Sequence, residues 1–401
     1  MIRKQCVAFV GIFCIPLIVT CSSDLEPQNN QDTTSAEPNT AGNGDTISDA
    51  LARNAGNHED PEDYIWDNSE VTQIVLNENT ISASGAGVAI DGCKATITSG
   101  GTYSISGSLA DGQIIVDSEE RNPVRLILNG AEINCSDNAP IFVKEAEKVI
   151  LFLAESTENV IKDGHSYVII SDDNEPNAAI FSKDDLTICG DGSLTVAGNF
   201  NDGIAGKDGL IIRSGHLHVT AADDGIRGKD YLIIEDGEIT VNVKGDGLKS
   251  DNDEDETRGY VLIENGTLNI TSSGDAITAE TDVLITEGKM TLISGGGSDQ
   301  TASGTASAKG IKASSSLVLD GGTYSINSAD DAIHSSGSIA INGGTISIAS
   351  GDDGIHADSA LGINGGSIDI TKSYEGIDSV FRTAEFPVRN SGGHPVSYSN
   401  R

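Results

Sequence analysis

The sequence predicts an all-β chain wound as a right-handed parallel β-helix, a solenoid of 22-residue, three-strand coils behind an irregular N-terminal β cap. The first observation is a unit built on Asp-Gly-Ile. It starts at Asp202, Asp224, Asp246, Asp275, Lys309, Asp331, Asp353 and Glu375, in steps of 22, 22, 29, 34, 22, 22 and 22 residues. The second is that other positions keep this phase. Ile204, Ile226, Leu248, Ile277, Ile311, Ile333, Ile355 and Ile377 align, as do Leu210 to Leu361, Ile212 to Ile363, Leu217 to Ile368 and Val219 to Ile370, with a glycine column from Gly215 to Gly366. The third is composition: 47 glycines and 4% aromatics suit narrow stacked coils rather than a bulky core.

Paired apolar columns spaced by two residues read as short strands with one face inward. A coil of 22 residues has no room for four strands or for a helix of two turns, which excludes propellers and leucine-rich arrays. Stacking places like residues ~4.8 Å apart, and glycine permits the sharp corner between strands. The right hand is the general preference of parallel crossovers. The two long steps are one coil plus insertions of 7 and 12 residues, expected as loops near Asp251–Arg258 and Gly295–Thr305.

Along the chain, residues 1–21 carry Arg3, Lys4 and an apolar stretch from Val7 to Val19, a signal peptide too short to span a membrane. The run Ile18-Val19-Thr20-Cys21-Ser22 resembles a lipobox in which Cys21 is the lipidated residue. Thr20 is unusual before such a cysteine, and ordinary secretion is the alternative. The expected location is the cell surface or periplasm as a lipoprotein, otherwise secreted. Residues 22–60 are polar and poor in apolar side chains, expected as a disordered tether. Residues 61–165 hold β-rich runs of irregular period, the expected cap that protects the first coil from edge pairing. Residues 166–378 form the repeat domain, and 379–401 leave its phase as an atypical tail. Cys93, Cys135 and Cys189 match no disulfide or metal spacing and read as small buried hydrophobes.

The formal net charge of −37 argues against nucleic acid and anionic membranes as partners and favours cations. The runs Asn177–Leu186, Asp223–Asp230, Asp330–Ser335, Asp352–Asp358 and Tyr374–Asp378 resemble the bacterial carbohydrate-binding domain-containing proteins with a pectate-lyase-like β-helix. The resemblance extends over about Tyr64 to Asp378. It implies a calcium-bearing, secreted or lipid-anchored solenoid that binds polysaccharide, acidic sugars included. Family members usually continue with further coils after the Tyr-Glu-Gly-Ile unit, whereas this chain breaks phase.

The chemistry is expected on the outside of the coils. Asp202, Asp224, Asp246 and Asp275 form one row, Asp331, Asp353 and Glu375 a second, with Asp223, Asp330 and Asp352 preceding acids of the rows. Carboxylates ~5 Å apart repel by ~3 kcal/mol at an effective dielectric near 20. Calcium, which tolerates irregular oxygen ligands, is the expected offset; simple turn capping by Asp is the alternative. Three residues past each acid stand Ala205, Arg227, Lys249, Thr278, Lys312, His334, His356 and Asp378. Arg227, Lys249, His334 and His356, with Lys207 and Lys229 nearby, are candidate contacts for a uronate-containing or cell-wall polysaccharide. Alternatively the cations compensate the acid rows, or serve as proton-abstracting bases in a calcium-dependent lyase. Two histidines one coil apart also suit a transition metal, though as only two ligands, and solvated turn histidines are the favoured alternative.

The acidic insertion at Asp251 lacks the glycine and final acid of a calcium loop, having Glu256 and Leu262 there. The polar column drifts evenly from coil to coil, which favours noncatalytic binding by a monomer over a single catalytic constellation. No residue is assigned as catalytic. A lyase and a structural adhesin remain the other classes. The scarcity of aromatics argues against stacking on neutral cellulose, though Trp66 and Tyr231 leave a little room for it.

Overall fold

The computed structural model describes residues 46–168, 175–300, 307–384 and 398–399. The expected signal peptide, Cys21, the tether up to residue 45 and most of the expected tail lie outside these residues. The described chain is a parallel β-helix. Each regular coil contributes one strand to each of three sheets, exemplified by Ile226–Gly228, Tyr231–Ile234 and Glu238–Val243. Register partners one coil apart reproduce the predicted columns: Ile226 pairs with Leu248, Leu232 with Val261, and Val241 with Ile270. These aliphatic side chains are buried and join one continuous interior cluster.

The glycine column is required by backbone geometry. Gly215, Gly237, Gly266, Gly288, Gly322, Gly344 and Gly366 all have φ between +90° and +129°, conformations that side chains resist. A Cβ on Gly237 meets the Gly215 carbonyl at 3.0 Å. The insertion at 251–258 is a loop between Leu248–Ser250 and Tyr260–Ile263, as expected. The second insertion opens with Gly295, Gly296 and Gly297 at positive φ.

Parallel stacking begins far earlier than the period implies. Tyr103, Leu126, Leu151, Ile188 and Ile212 form one column in steps of 23, 25, 37 and 24 residues. Loops absorb the unequal lengths, so the strands stack although the sequence period is lost. The irregular end therefore reduces to two antiparallel hairpins, Thr72–Glu78 with Thr80–Ala83 and Val88–Asp91 with Lys94–Ile97. At the other end register slips between Ala357 and Ala360, where the repeat leaves phase.

The expected tether is corrected over Thr46–Asp60. Helix α1 (Ile47–Leu51) buries Ile47 and Ala50 against Ile211, Ile233, Leu262, Leu284, Val318 and Ala340, the outward side chains of the second sheet. A capping box between Thr46 and Asp49 starts the helix. Beyond it, His58 bonds Tyr231 and Thr187 at 2.6 and 2.8 Å, and Lys148 pairs with Asp63 at 2.7 Å. The second sheet is apolar on both faces, and this strap covers the outer one. Tyr231 is thereby buried and offers no sugar platform, while Trp66 packs edge-on against Phe152. Cys135 and Cys189 are buried and Cys93 half-buried, all as free thiols.

Replacing Gly237 by valine, which forces a branched residue into φ +129°, is expected to cost about 1–3 kcal/mol. Denaturant unfolding checks this; an unchanged midpoint would show that the corner relaxes freely.

Candidate functional site

The inward Ile of each Asp-Gly-Ile unit fixes the preceding acid at the corner where a coil enters the first sheet. One oxygen of that acid then receives the backbone N–H at the equivalent position of the next coil. Asp224 N–H donates to Asp202 Oδ1 at 3.2 Å, Asp246 to Asp224 at 2.8 Å and Asp275 to Asp246 at 2.8 Å. Lys309 donates to Asp275 at 2.7 Å, Asp353 to Asp331 at 3.0 Å and Glu375 to Asp353 at 3.1 Å. Lys309 thus bridges the two expected rows into one line. The acids are also less exposed than expected: Asp202, Asp224, Asp275, Asp331 and Asp353 are buried, Asp246 and Glu375 half-buried, and only the preceding Asp223 and Asp352 are exposed. Capping the next coil draws them into the corner.

The second oxygens face the column three residues on. Lys249 Nζ lies 3.0 Å from both Asp224 Oδ2 and Asp246 Oδ2. Lys312 approaches Asp275 at 3.5 Å, and Lys309 bridges Asp330 and Asp331 at 2.8 and 3.0 Å. His334 sits 2.9 Å from Asp331, while His356 lies 3.7 Å from Asp331 and 3.3 Å from Asp353. Arg227 is 4.0 Å from Asp202 and 2.8 Å from Asp251 on the insertion loop, which also offers Glu254 to Lys229 at 3.3 Å. Lys207 pairs at 2.6 Å with Glu175. Every basic residue singled out from the sequence is therefore within 4.0 Å of a carboxylate, and much of the carboxylate repulsion is offset by the chain itself.

Local charge sets the proton affinities. Burial, reinforced by Asp224 and only partly opposed by Arg227, pushes Asp202 up to about 7. Burial also acts on Asp331, but His334 and Lys309 outweigh it and hold the acid at about 2. The Asp353 hydrogen bond raises His356 to about 9 against its desolvation. Lys249, despite burial, is held above the ordinary lysine value by Asp224 and Asp246.

Oxygen donors suited to a hard cation are present. One oxygen each from Asp330, Asp331 and Asp352 lie within 4.8 Å of one another. Asp251 Oδ1 and Glu375 Oε2 are buried without a hydrogen-bond partner, carboxylate oxygens of the kind calcium accepts. The Lys309 ammonium already touches Asp330 and Asp331, so an ion there shares or displaces it. Asp378 joins Asp353 and His356 in a further group. Sequence reasoning missed the bridging role of Lys309, the contact of Asp358 Oδ1 with His356 Nε2 at 3.1 Å, and Tyr374, which is 78% exposed beside Glu375. Lys309 was visible as a cation at an acid position in the repeat.

Because its folded value is raised, Asp202 contributes stability that is present below pH 3.8 and lost as pH rises through about 7. Asp202→Asn is expected to flatten that part of the stability profile in chelator-treated protein. Urea unfolding across this window checks it, and an identical slope in the variant would refute the raised value.

Comparison with known proteins agrees with this architecture. A family model described as carbohydrate-binding domain-containing protein matches residues 91–354, well over half of the chain. A protein of Acetivibrio thermocellus with the same description is 40% identical over 151 residues, 37% of this chain and 53% of the relative. The chain thus spans about half the length of that relative. A solved structure described as the polysaccharide lyase-like protein from C. thermocellum, gadolinium derivative, is 27% identical, with a TM-score of 0.51 over 80% of this chain and 97% of its own. The repeat, the stacked coils and the extent of the match place this chain in the carbohydrate-binding domain-containing protein family.

Proposed function

We propose that this chain is a noncatalytic binder of acidic extracellular or cell-wall polysaccharide, exported and held at the cell surface through Cys21. The acid-and-cation ladder is the binding face, and calcium supplements it where carboxylates outnumber cations. The observation that carries the reading is the repetition itself. Coil after coil presents a carboxylate with a lysine, arginine or histidine, at the ~4.8 Å spacing of stacked strands, comparable with one sugar residue of a linear polymer. Family membership supports carbohydrate as the partner.

Calcium would sit where several carboxylate oxygens converge, at Asp330, Asp331 and Asp352, with the unpartnered oxygens of Asp251 and Glu375 as further acceptors along the ladder. Bound there, it would supply a positive centre that bridges protein and uronate carboxylates. Lys249, Arg227 and Lys312 would exchange part of their pairing with the ladder for pairing with the polymer.

A calcium-dependent lyase is the second reading, favoured by the description of the solved relative. The ladder argues against it. A general base works best with a pKa near the operating pH, whereas Lys249 and Arg227 are both held more firmly protonated than usual by their acids.

Calorimetric titration with polygalacturonate is expected to give binding that weakens on chelation and weakens again in Asp352→Asn, without the absorbance of unsaturated products. Affinity indifferent to both chelator and that variant would overturn the calcium-assisted reading, and product formation would establish the lyase.

A further inference from the structure

Within the ladder, two adjacent coils depart from the lysine and arginine chemistry of the rest. His334 and His356 are register partners, with ring centroids 5.0 Å apart. We infer that these imidazoles and the Asp331 carboxylate, with Asp353 beside them, form a binding site for a divalent transition ion of the zinc class, set into the same ladder but selected by different donors.

The donor spacing carries the inference. Zinc takes nitrogen and carboxylate oxygen ligands at about 2.0–2.2 Å in a tetrahedron, which sets its donors about 3.4 Å apart. The Nδ1 atoms of His334 and His356 lie 2.9 and 3.7 Å from Asp331 Oδ2, and Asp353 Oδ2 is 3.3 Å from His356 Nδ1. These separations bracket the tetrahedral edge without rearrangement of the coils. One donor atom each from Asp331, His334 and His356 fall within 4.8 Å of one another, and Asp353, grouped with His356, adjoins them, leaving a fourth position for it or for water.

The surroundings also match what an imidazole ligand needs. With Nδ1 facing the acids, His356 turns Nε2 to Asp358 Oδ1 at 3.1 Å, a carboxylate that fixes tautomer and ring orientation. Asp331 Oδ1 is engaged by the Asp353 amide, which leaves Oδ2 for the ion. Lys309 competes for that oxygen but holds Asp330 as a second partner and can retreat to it. The side chains of His334 and Asp331 are largely shielded from solvent, and His356 is half-buried, so the site has an entry path through His356. Two imidazole nitrogens distinguish it from the all-oxygen set at Asp330, Asp331 and Asp352. Nitrogen donors select zinc, copper or nickel over calcium.

The test uses the full chain, stripped with chelator and titrated with zinc chloride against a chromophoric competitor, without polysaccharide. One tightly held zinc per chain is expected, retained in millimolar calcium, which competes only for the shared Asp331 carboxylate, and cobalt in its place is expected to show visible absorption of nitrogen and oxygen ligation. His334→Lys and His356→Lys place at these positions the cation that other coils carry, so the fold tolerates them while the ligands are lost. Each should weaken zinc binding by more than the about 10- to 100-fold typical of losing a mere orienting partner, and Asp358→Asn by about that amount. Zinc binding that is absent, equally displaced by calcium, or unchanged in both histidine variants would overturn the site. Polygalacturonate binding that persists in those variants would leave the polysaccharide reading intact.

Discussion

The structure depends on in-register stacking: each regular coil places equivalent residues directly above one another, one strand spacing apart. For the interior this is favourable at every step. The column from Ile204 through Ile226, Leu248 and Ile277 to Ile377 excludes water because each side chain is covered by its neighbours above and below. At the corners the same geometry is adverse, because it stacks carboxylates whose mutual repulsion no single coil can relieve. The ladder is the answer to this constraint.

Its two oxygens divide the work. Oδ1 accepts the next coil's amide and locks vertical register, so the acid type is demanded by the backbone as much as by any ligand. Oδ2 is left to side chains, and the fate of each acid follows from what reaches it. Asp331, touched by Lys309 and His334, is a strong acid, whereas Asp202, with Arg227 4.0 Å away and shared with Asp251, is a weak one. A repeat that looks uniform in sequence is therefore graded in charge. Extra cations are needed most where the chain supplies fewest.

The interior columns and the glycine corner were legible because both rest on local, periodic demands: an inward face every second residue, and a φ that only glycine adopts easily. What escaped were features made by distant segments. The polar composition of residues 46–60 conceals that Ile47 and Ala50 suffice to cover a stripe. The signal lay instead in the strands themselves, since Leu210-Ile211-Ile212 and Val283-Leu284-Ile285 are apolar at consecutive positions and so bury both faces. The first coils escaped because loops of unequal length erase a period without disturbing stacking. In the ladder, spacing shows which acids and cations share a column but not how exposed they are, because amide capping that pulls Asp into the corner leaves no trace in spacing. The pairing of Arg227 and Lys229 with Asp251 and Glu254 depends on where an insertion loop folds back, which no period encodes.

A linear ladder also constrains what kind of recognition is possible. A pocket concentrates affinity in a few groups around one ligand, whereas stacked coils offer many weak, similar contacts along a line. In the proposed binding mode each contact would require a ladder cation to give up part of an existing ion pair, so one sugar would gain little. Successive sugars of a polymer no longer bear the full cost of association, because the first contact raises the effective concentration of the rest. Such a surface selects length and charge spacing before monomer identity. In the proposed mode it would reward a polyanion over any of its fragments, as a binder laid along an acidic polysaccharide should.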